Sequence, residues 1–166
     1  MPSYKAPWDR ALLGWSLSLI AVAVLAVVLF WPSLTHGPSS DLLFWKGVVL
    51  PAYTLGCALF TVRGYVIEEH RIKIRRLLWS THLPLTGLQS VESHPGALRK
   101  AAYQFGNGGY FSYCGWYQSK ELGPIRPFVT DRERTVVLRY PKRTIILSPD
   151  RPEEFVQSLR SKAGLA

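Results

Sequence analysis

Acidic residues are few in this chain: 11 Asp and Glu stand against 20 Lys and Arg in 166 residues, a formal balance of +9. Such a chain favours acidic partners, which are nucleic acid, anionic lipid headgroups or an acidic protein face. Cysteine is nearly missing, with Cys57 in an apolar run and Cys114 in the basic part. The two are expected in different environments and no disulfide is expected between them. His36, His70, His82 and His94 are scattered, so no cluster has metal-ligand spacing, and neither a metal nor a cofactor is predicted. Absent too are G-x-S-x-G, H-E-x-x-H and, after the glycines at 106–109, the Lys-Ser/Thr pair of a phosphate loop. Cys114 sits among aromatics while His82 and His94 lie in separate segments, so no nucleophile is assembled and no enzyme is expected. Last, charge of either sign is missing from Ala11 to Trp31.

That uncharged run, ALLGWSLSLIAVAVLAVVLFW, is the feature around which the chain is organised. A helix of this length rises about 30 Å and satisfies its own backbone, which matches the hydrocarbon core of a bilayer. We read 11–31 as a first transmembrane helix. Residues 1–10 carry Lys5 and Arg10 with one acid, Asp9, and read as a cytoplasmic end flanked by Trp8 and Trp15. Pro32, Gly37 and Pro38 mark 32–41 as an external loop without Lys or Arg. A second apolar run over 42–62 reads as a second span, in which Lys46 snorkels outward beside Trp45 and Pro51 kinks the helix. Arg63, Arg71, Lys73, Arg75 and Arg76 follow it, so both termini are assigned to the cytoplasm. In the resulting antiparallel hairpin Ser18 and Ala21 fall at the depth of Gly56 and Ala52. Small residues there permit close helix packing or, alternatively, association with other membrane proteins.

From Gly64 the period changes to alternation, leaving room for one soluble domain of about a hundred residues. Residues 64–166 hold 16 Lys and Arg against 9 Asp and Glu, so this domain is basic. Beside a bilayer a basic domain favours lipid over nucleic acid, and no nucleic-acid partner is expected. Strands are predicted at 65–70, 71–79, 125–130, 135–140 and 143–147. Within 71–79, Arg71, Lys73 and Arg75 alternate with Ile72 and Ile74. With Arg76 these cations are the candidate site for anionic headgroups or a partner; the alternative is that they only fix topology and solvate a strand face. Gly106, Asn107, Gly108 and Gly109 predict a hairpin turn. The surrounding Tyr103, Phe105, Tyr110, Phe111, Tyr113, Trp116 and Tyr117 predict sheet core, or a contact patch where exposed. In SPDRPEEFVQSLRS, Ser148 or Asp150 is expected to cap a helix whose stripe is Phe155, Val156 and Leu159.

The segments IRRLLWSTHLPLTGLQSVE, FGNGGYFSYCG, PFVTDRERTVVL and ILSPDRPEEFVQSL together resemble a bacterial pleckstrin-homology (PH) domain membrane protein. The resemblance implies an α+β chain in which a two-helix transmembrane hairpin precedes a PH-like antiparallel β-sandwich or barrel over 64–163. A C-terminal helix plugs its open end. It further implies a multi-pass protein of the bacterial inner membrane. The expected role is a non-catalytic adaptor or scaffold, binding a protein partner, itself or anionic lipid at the cytoplasmic leaflet. The alternative is an accessory or assembly subunit of a larger membrane complex, held through its hairpin.

Overall fold

The computed structural model describes residues 2–35 and 42–165. Its elements in chain order are β1 (Ser3–Lys5), α1 (Arg10–Leu29), α2 (Trp31–Thr35), α3 (Leu42–Leu59), β2 (Val62–Ile67), β3 (Arg71–Arg76), β4 (Ser80–Pro84), β5 (Ser90–Ser93), β6 (Ala102–Tyr110), β7 (Ser112–Ser119), β8 (Gly123–Val129), β9 (Val136–Tyr140), β10 (Arg143–Leu147) and α4 (Pro152–Ala163). Four strands form one sheet in the order β1-β2-β3-β4, and six form another in the order β5-β9-β10-β8-β7-β6.

The strands form where alternation is strongest. In β3 Ile72 and Ile74 point inward between Arg71, Lys73 and Arg75, and β9 and β10 each carry three consecutive buried apolar residues, Val136–Leu138 and Ile145–Leu147, because both faces are covered. One face, with Leu138, Ile145 and Leu147, meets the first sheet and α4. The other, with Val137 and Ile146, meets Ala97, Leu98 and Leu12 of α1. The helix α4 begins on Pro152 with Glu153 and Glu154 in its first turn, which suits its positive end. It lays Phe155, Val156 and Leu159 into the core.

Two expectations for the sheets are corrected. The domain is not purely antiparallel: β10 runs parallel to β8, with Thr144 opposite Ile125. The chain leaves β8, runs β9 one position further out, and the β9–β10 hairpin then returns into the gap. The helix cap is also different, since Arg151 is the N-cap residue and makes no side-chain cap. Ser148 is drawn inward, where its hydroxyl accepts from the Thr130 amide at 2.8 Å. Asp150 accepts from the Lys5 amide at 3.1 Å.

That last bond belongs to β1, a strand within residues 1–10, where no strand is expected from the sequence. Ser3–Lys5 pairs antiparallel with β2, Tyr4 opposite Tyr65. Gly64 allows this approach, because a Cβ there would lie 2.6 Å from the Tyr4 carbonyl oxygen. Tyr4 is buried; its ring meets Phe155 edge-on at 5.1 Å and its hydroxyl lies 3.0 Å from Ser158 Oγ. The chain then enters α1 through Asp9. Its carboxylate accepts from the Leu12 and Arg132 amides, and its own amide donates to the Thr130 carbonyl at 3.0 Å.

The helices α1 and α3 pack antiparallel: Leu19 meets Cys57, while further along Leu25 and Leu29 share a groove with Trp45 and Val49. Among the described residues only α1 is long and apolar enough to cross a bilayer; the apolar part of α3, Gly47–Leu59, is shorter. Length and apolarity alone therefore do not show the second span expected over 42–62. Its helix stops at Leu59, where the Phe60 and Thr61 amides tighten onto Cys57 and Ala58 and Val62 enters β2. At the other end of α1, Trp31–Thr35 is helical where a loop was expected. The expectations for residues 36–41 and for the side chain of Lys46 lie outside the described residues.

The tip of the β6–β7 hairpin rests on this helix pair. Phe111 has a positive φ of 62° and is buried beside Leu19 and Cys57. Its amide donates to Ser16 Oγ at 2.8 Å. Ser16→Ala strands this buried donor and is expected to destabilise the chain by about 1–3 kcal/mol in an unfolding titration of the detergent-solubilised protein. The exposed Ser18 hydroxyl only caps back onto Trp15, so Ser18→Ala is expected to change little.

Candidate functional site: a cavity at the seam of helices and sheets

The four cations of the candidate strand do not form one patch. Arg71 and Arg75 are exposed and Lys73 is half-buried on the outer face of β3, whereas Arg76 is buried, on the side of Ile72 and Ile74. Arg71 pairs with Glu68 and holds that carboxyl below its usual value. Lys73 lies opposite His82 of β4.

Arg76 is 9 % exposed and, among the described residues, pairs with no carboxylate. Its Nη1 donates to the Phe60 carbonyl at 2.8 Å and its Nε to Thr81 Oγ1 at 3.1 Å. The rings of Phe128, Phe60 and Trp79 stand 5.2, 5.5 and 5.9 Å from its guanidinium carbon. Aromatic faces and a carbonyl stabilise a cation without neutralising it. No hydrogen bond with the described residues engages its Nη2, and that atom is not sealed from solvent.

Arg76 borders a cavity of about 420 Å³ between the last two turns of α3 and strands β6, β7 and β8. Cys57 and Phe60 form one wall and Phe128 and Cys114 another. Phe105 and Trp116, paired across the β6–β7 ladder and exposed, stand at its mouth. Arg126 is the second cation, 5.3 Å from the Trp116 ring and 5.8 Å from the Phe128 ring. Among the described residues no carboxylate lines the cavity. Both cysteines do, as free thiols, though each packs in a different core, Cys57 with Leu19 and Phe111 and Cys114 with the core under α4. Burial pushes the Cys114 thiol up, against the smaller opposing pull of Arg76, so it is held protonated and is a poor nucleophile. His82 lies in β4, away from this lining, and among the described residues no three His, Cys, Asp or Glu side chains could hold a metal ion. The chemistry of this lining, cationic and aromatic, suits anions and apolar groups.

The aromatic stretch divides. Phe111, Tyr113 and Tyr117 are buried, while Tyr103, Phe105 and Trp116 are exposed. The hairpin turn expected at 106–109 falls instead at Phe111, between the paired Tyr110 and Ser112. Asn107 stays within β6, and its Oδ1 accepts from the Tyr110 amide at 2.9 Å, moving the turn three residues on. Beside the end of α3, Leu77, Leu78 and Trp79 form an exposed apolar turn, with Trp79 against Phe60 at 5.2 Å. Of the small residues expected in the helix contact, Ser18, Ala21 and Ala52 are exposed and Gly56 lines the cavity. The buried residues of α1 are instead Leu12, Ser16, Leu19, Ala23 and Ala26, with Ser16 under Phe111 of the hairpin tip.

The Arg126, Phe60 and Trp79 contributions were not singled out in the sequence. Arg126 stands alone among apolar neighbours, and the other two gain meaning only when α3 and the β3–β4 turn meet. Neither a curated protein nor a solved structure matches the chain. The model of the family described as Bacterial PH domain matches residues 63–163, which covers β2 through α4. On that match, and on two sheets closed by a C-terminal helix, the chain belongs to the bacterial PH domain family.

Proposed function

We propose that this PH-domain chain is a non-catalytic binding module held on the cytoplasmic face of the bacterial inner membrane, with α1 and α3 as an antiparallel pair of spans. The observation that carries this reading is the position of β1. It precedes α1 yet is hydrogen-bonded to β2, which follows α3. Both helices therefore start or end in one domain, and a crossing by α1 requires a return by α3. At 18 residues α3 rises about 27 Å, close to the hydrocarbon thickness. The exposed apolar turn of Leu77, Leu78 and Trp79 supports a domain seated against the headgroups, where aromatic rings favour the interface. The exposed small residues Ser18, Ala21 and Ala52 leave the outer face of the hairpin open to a second membrane protein or a second copy. Arg71, Lys73 and Arg75 offer a cationic strand to an acidic partner. Tethering raises the local concentration of whatever the domain binds, so a modest affinity suffices.

Topology reporters test this. A fluorescent protein at the C-terminus is expected to glow, and alkaline phosphatase inserted after Gly37 to be active, in a chain that resists carbonate extraction. Release by carbonate, or phosphatase activity at the C-terminus, would overturn the reading.

A further inference from the structure

The cavity at the seam has an apolar neighbour. Tyr53 lines it and also lines a groove of about 690 Å³ between α1 and α3, formed with Val22, Leu25, Leu29, Trp45 and Val49. Two spaces thus adjoin at Tyr53, one bordered by two guanidinium groups and the other lined by apolar and aromatic side chains along the helices. A buried cation without a counter-ion is unfavourable unless an anion reaches it. Arg76, largely buried with its Nη2 unengaged and open toward solvent, is such a cation, and among the described residues Arg126 on β8 meets ring faces and no acid. An aqueous anion would fill the cationic end and leave the groove empty; an acyl chain alone would do the reverse.

From this charge complementarity we infer that the seam holds one whole anionic phospholipid. Its phosphate meets Arg76 and Arg126, since guanidinium groups grip phosphate through paired, charge-assisted hydrogen bonds. Its chain passes Tyr53 into the groove between α1 and α3. The lipid joins the hairpin to the sheet domain as part of the packed structure. This differs from the outer strand of Arg71, Lys73 and Arg75, which faces away from the cavity. The inference rests on the proposed membrane anchoring, because the groove must face the bilayer to be filled.

The test uses the full chain in nanodiscs of equal phosphatidylglycerol and phosphatidylcholine, followed by native mass spectrometry of the released protein. One phosphatidylglycerol is expected to stay with each chain, in about tenfold preference over phosphatidylcholine. Arg126 is exposed, so Arg126→Gln folds, and it is expected to lower that retention about tenfold by removing one charge-assisted pair. Gly56→Leu fills the cavity from α3, where an added Cβ meets nothing within 4 Å, and is expected to abolish retention. Lys142→Gln, at an exposed position outside either site, is expected to leave it unchanged. Equal retention of the two lipids, or retention untouched by Arg126→Gln and Gly56→Leu, would overturn the inference while the anchoring stands. A chain that does not enter nanodiscs at all would sink both.

Discussion

Phe155→Ala is expected to destabilise the chain by about 3–5 kcal/mol, the range for removing a fully enclosed aromatic ring. Phe155 is fully buried, and its ring lies between Tyr4 and Tyr65, 5.1 and 6.2 Å away and edge-on to both. It is where α4, β1 and β2 meet, so its loss removes packing from three elements at once. Collapse around the void is hindered on one side by Tyr65, whose hydroxyl donates to the Phe128 carbonyl at 2.6 Å. Burial also raises the pKa of that hydroxyl, keeping it a neutral donor. Cys114 provides the readout: as a buried thiol with a raised pKa, it is expected to resist alkylation until the domain opens. In a Cys57→Ala background, Phe155→Ala is expected to lower the midpoint of thermal alkylation by more than about 10 °C. Phe155→Leu, which keeps most of the volume, is expected to lose less than about 1.5 kcal/mol. Equal losses in the two variants would mean that α4 does not plug the core.

Gly115→Ala should be comparably damaging, through the backbone. Gly115 has φ +142°, and a Cβ there would come 2.2 Å from the Phe105 carbonyl oxygen and 2.9 Å from the Gly106 Cα. Both are backbone atoms of the facing strand, so relief requires β6 and β7 to separate. That hairpin carries Phe111 to the helices and Phe105 and Trp116 to the cavity mouth, and all three positions shift with it. We expect a loss of more than about 3 kcal/mol, beyond the 1–2 kcal/mol usual for a left-handed residue alone. Gly123→Ala separates the two effects. Gly123 has φ +67° but open space where the Cβ would go, so it should show the conformational part only, about 1–2 kcal/mol. The same alkylation midpoint measures both, and equal losses would show that the hairpin tolerates the side chain.

The parts of the fold that were legible are those written in local periodicity. Strands at 135–140 and 143–147 stood out because their apolar runs are short and bounded by turns, and α4 because Phe155, Val156 and Leu159 fall on one stripe. What escaped depends on distant partners. Three residues with one apolar side chain, Tyr4, carry no strand signal until β2 lies beside them. The parallel pairing of β8 with β10 is decided by the order in which hairpins return, which alternation does not encode. Asn107-Gly108 has the residues of a tight turn, yet the Asn107 side chain holds the Tyr110 amide and the helices hold Phe111, so tertiary contacts move the turn. For the site, the signal was partly present: a period of two puts Arg76 with Ile72 and Ile74, opposite Arg71, Lys73 and Arg75. Grouping it with its neighbours by charge obscured that. Arg126 had no such signal.

The pairing of β1 sets a constraint on the order of folding. Ser3–Lys5 is translated before the helices α1 and α3, but its neighbour β2 is made only after both, and Phe155 and Ser158, which clasp Tyr4, come later still. The strand therefore waits unpaired until the sheet domain is made, and a substitution that slows the docking of α4 would lengthen that wait.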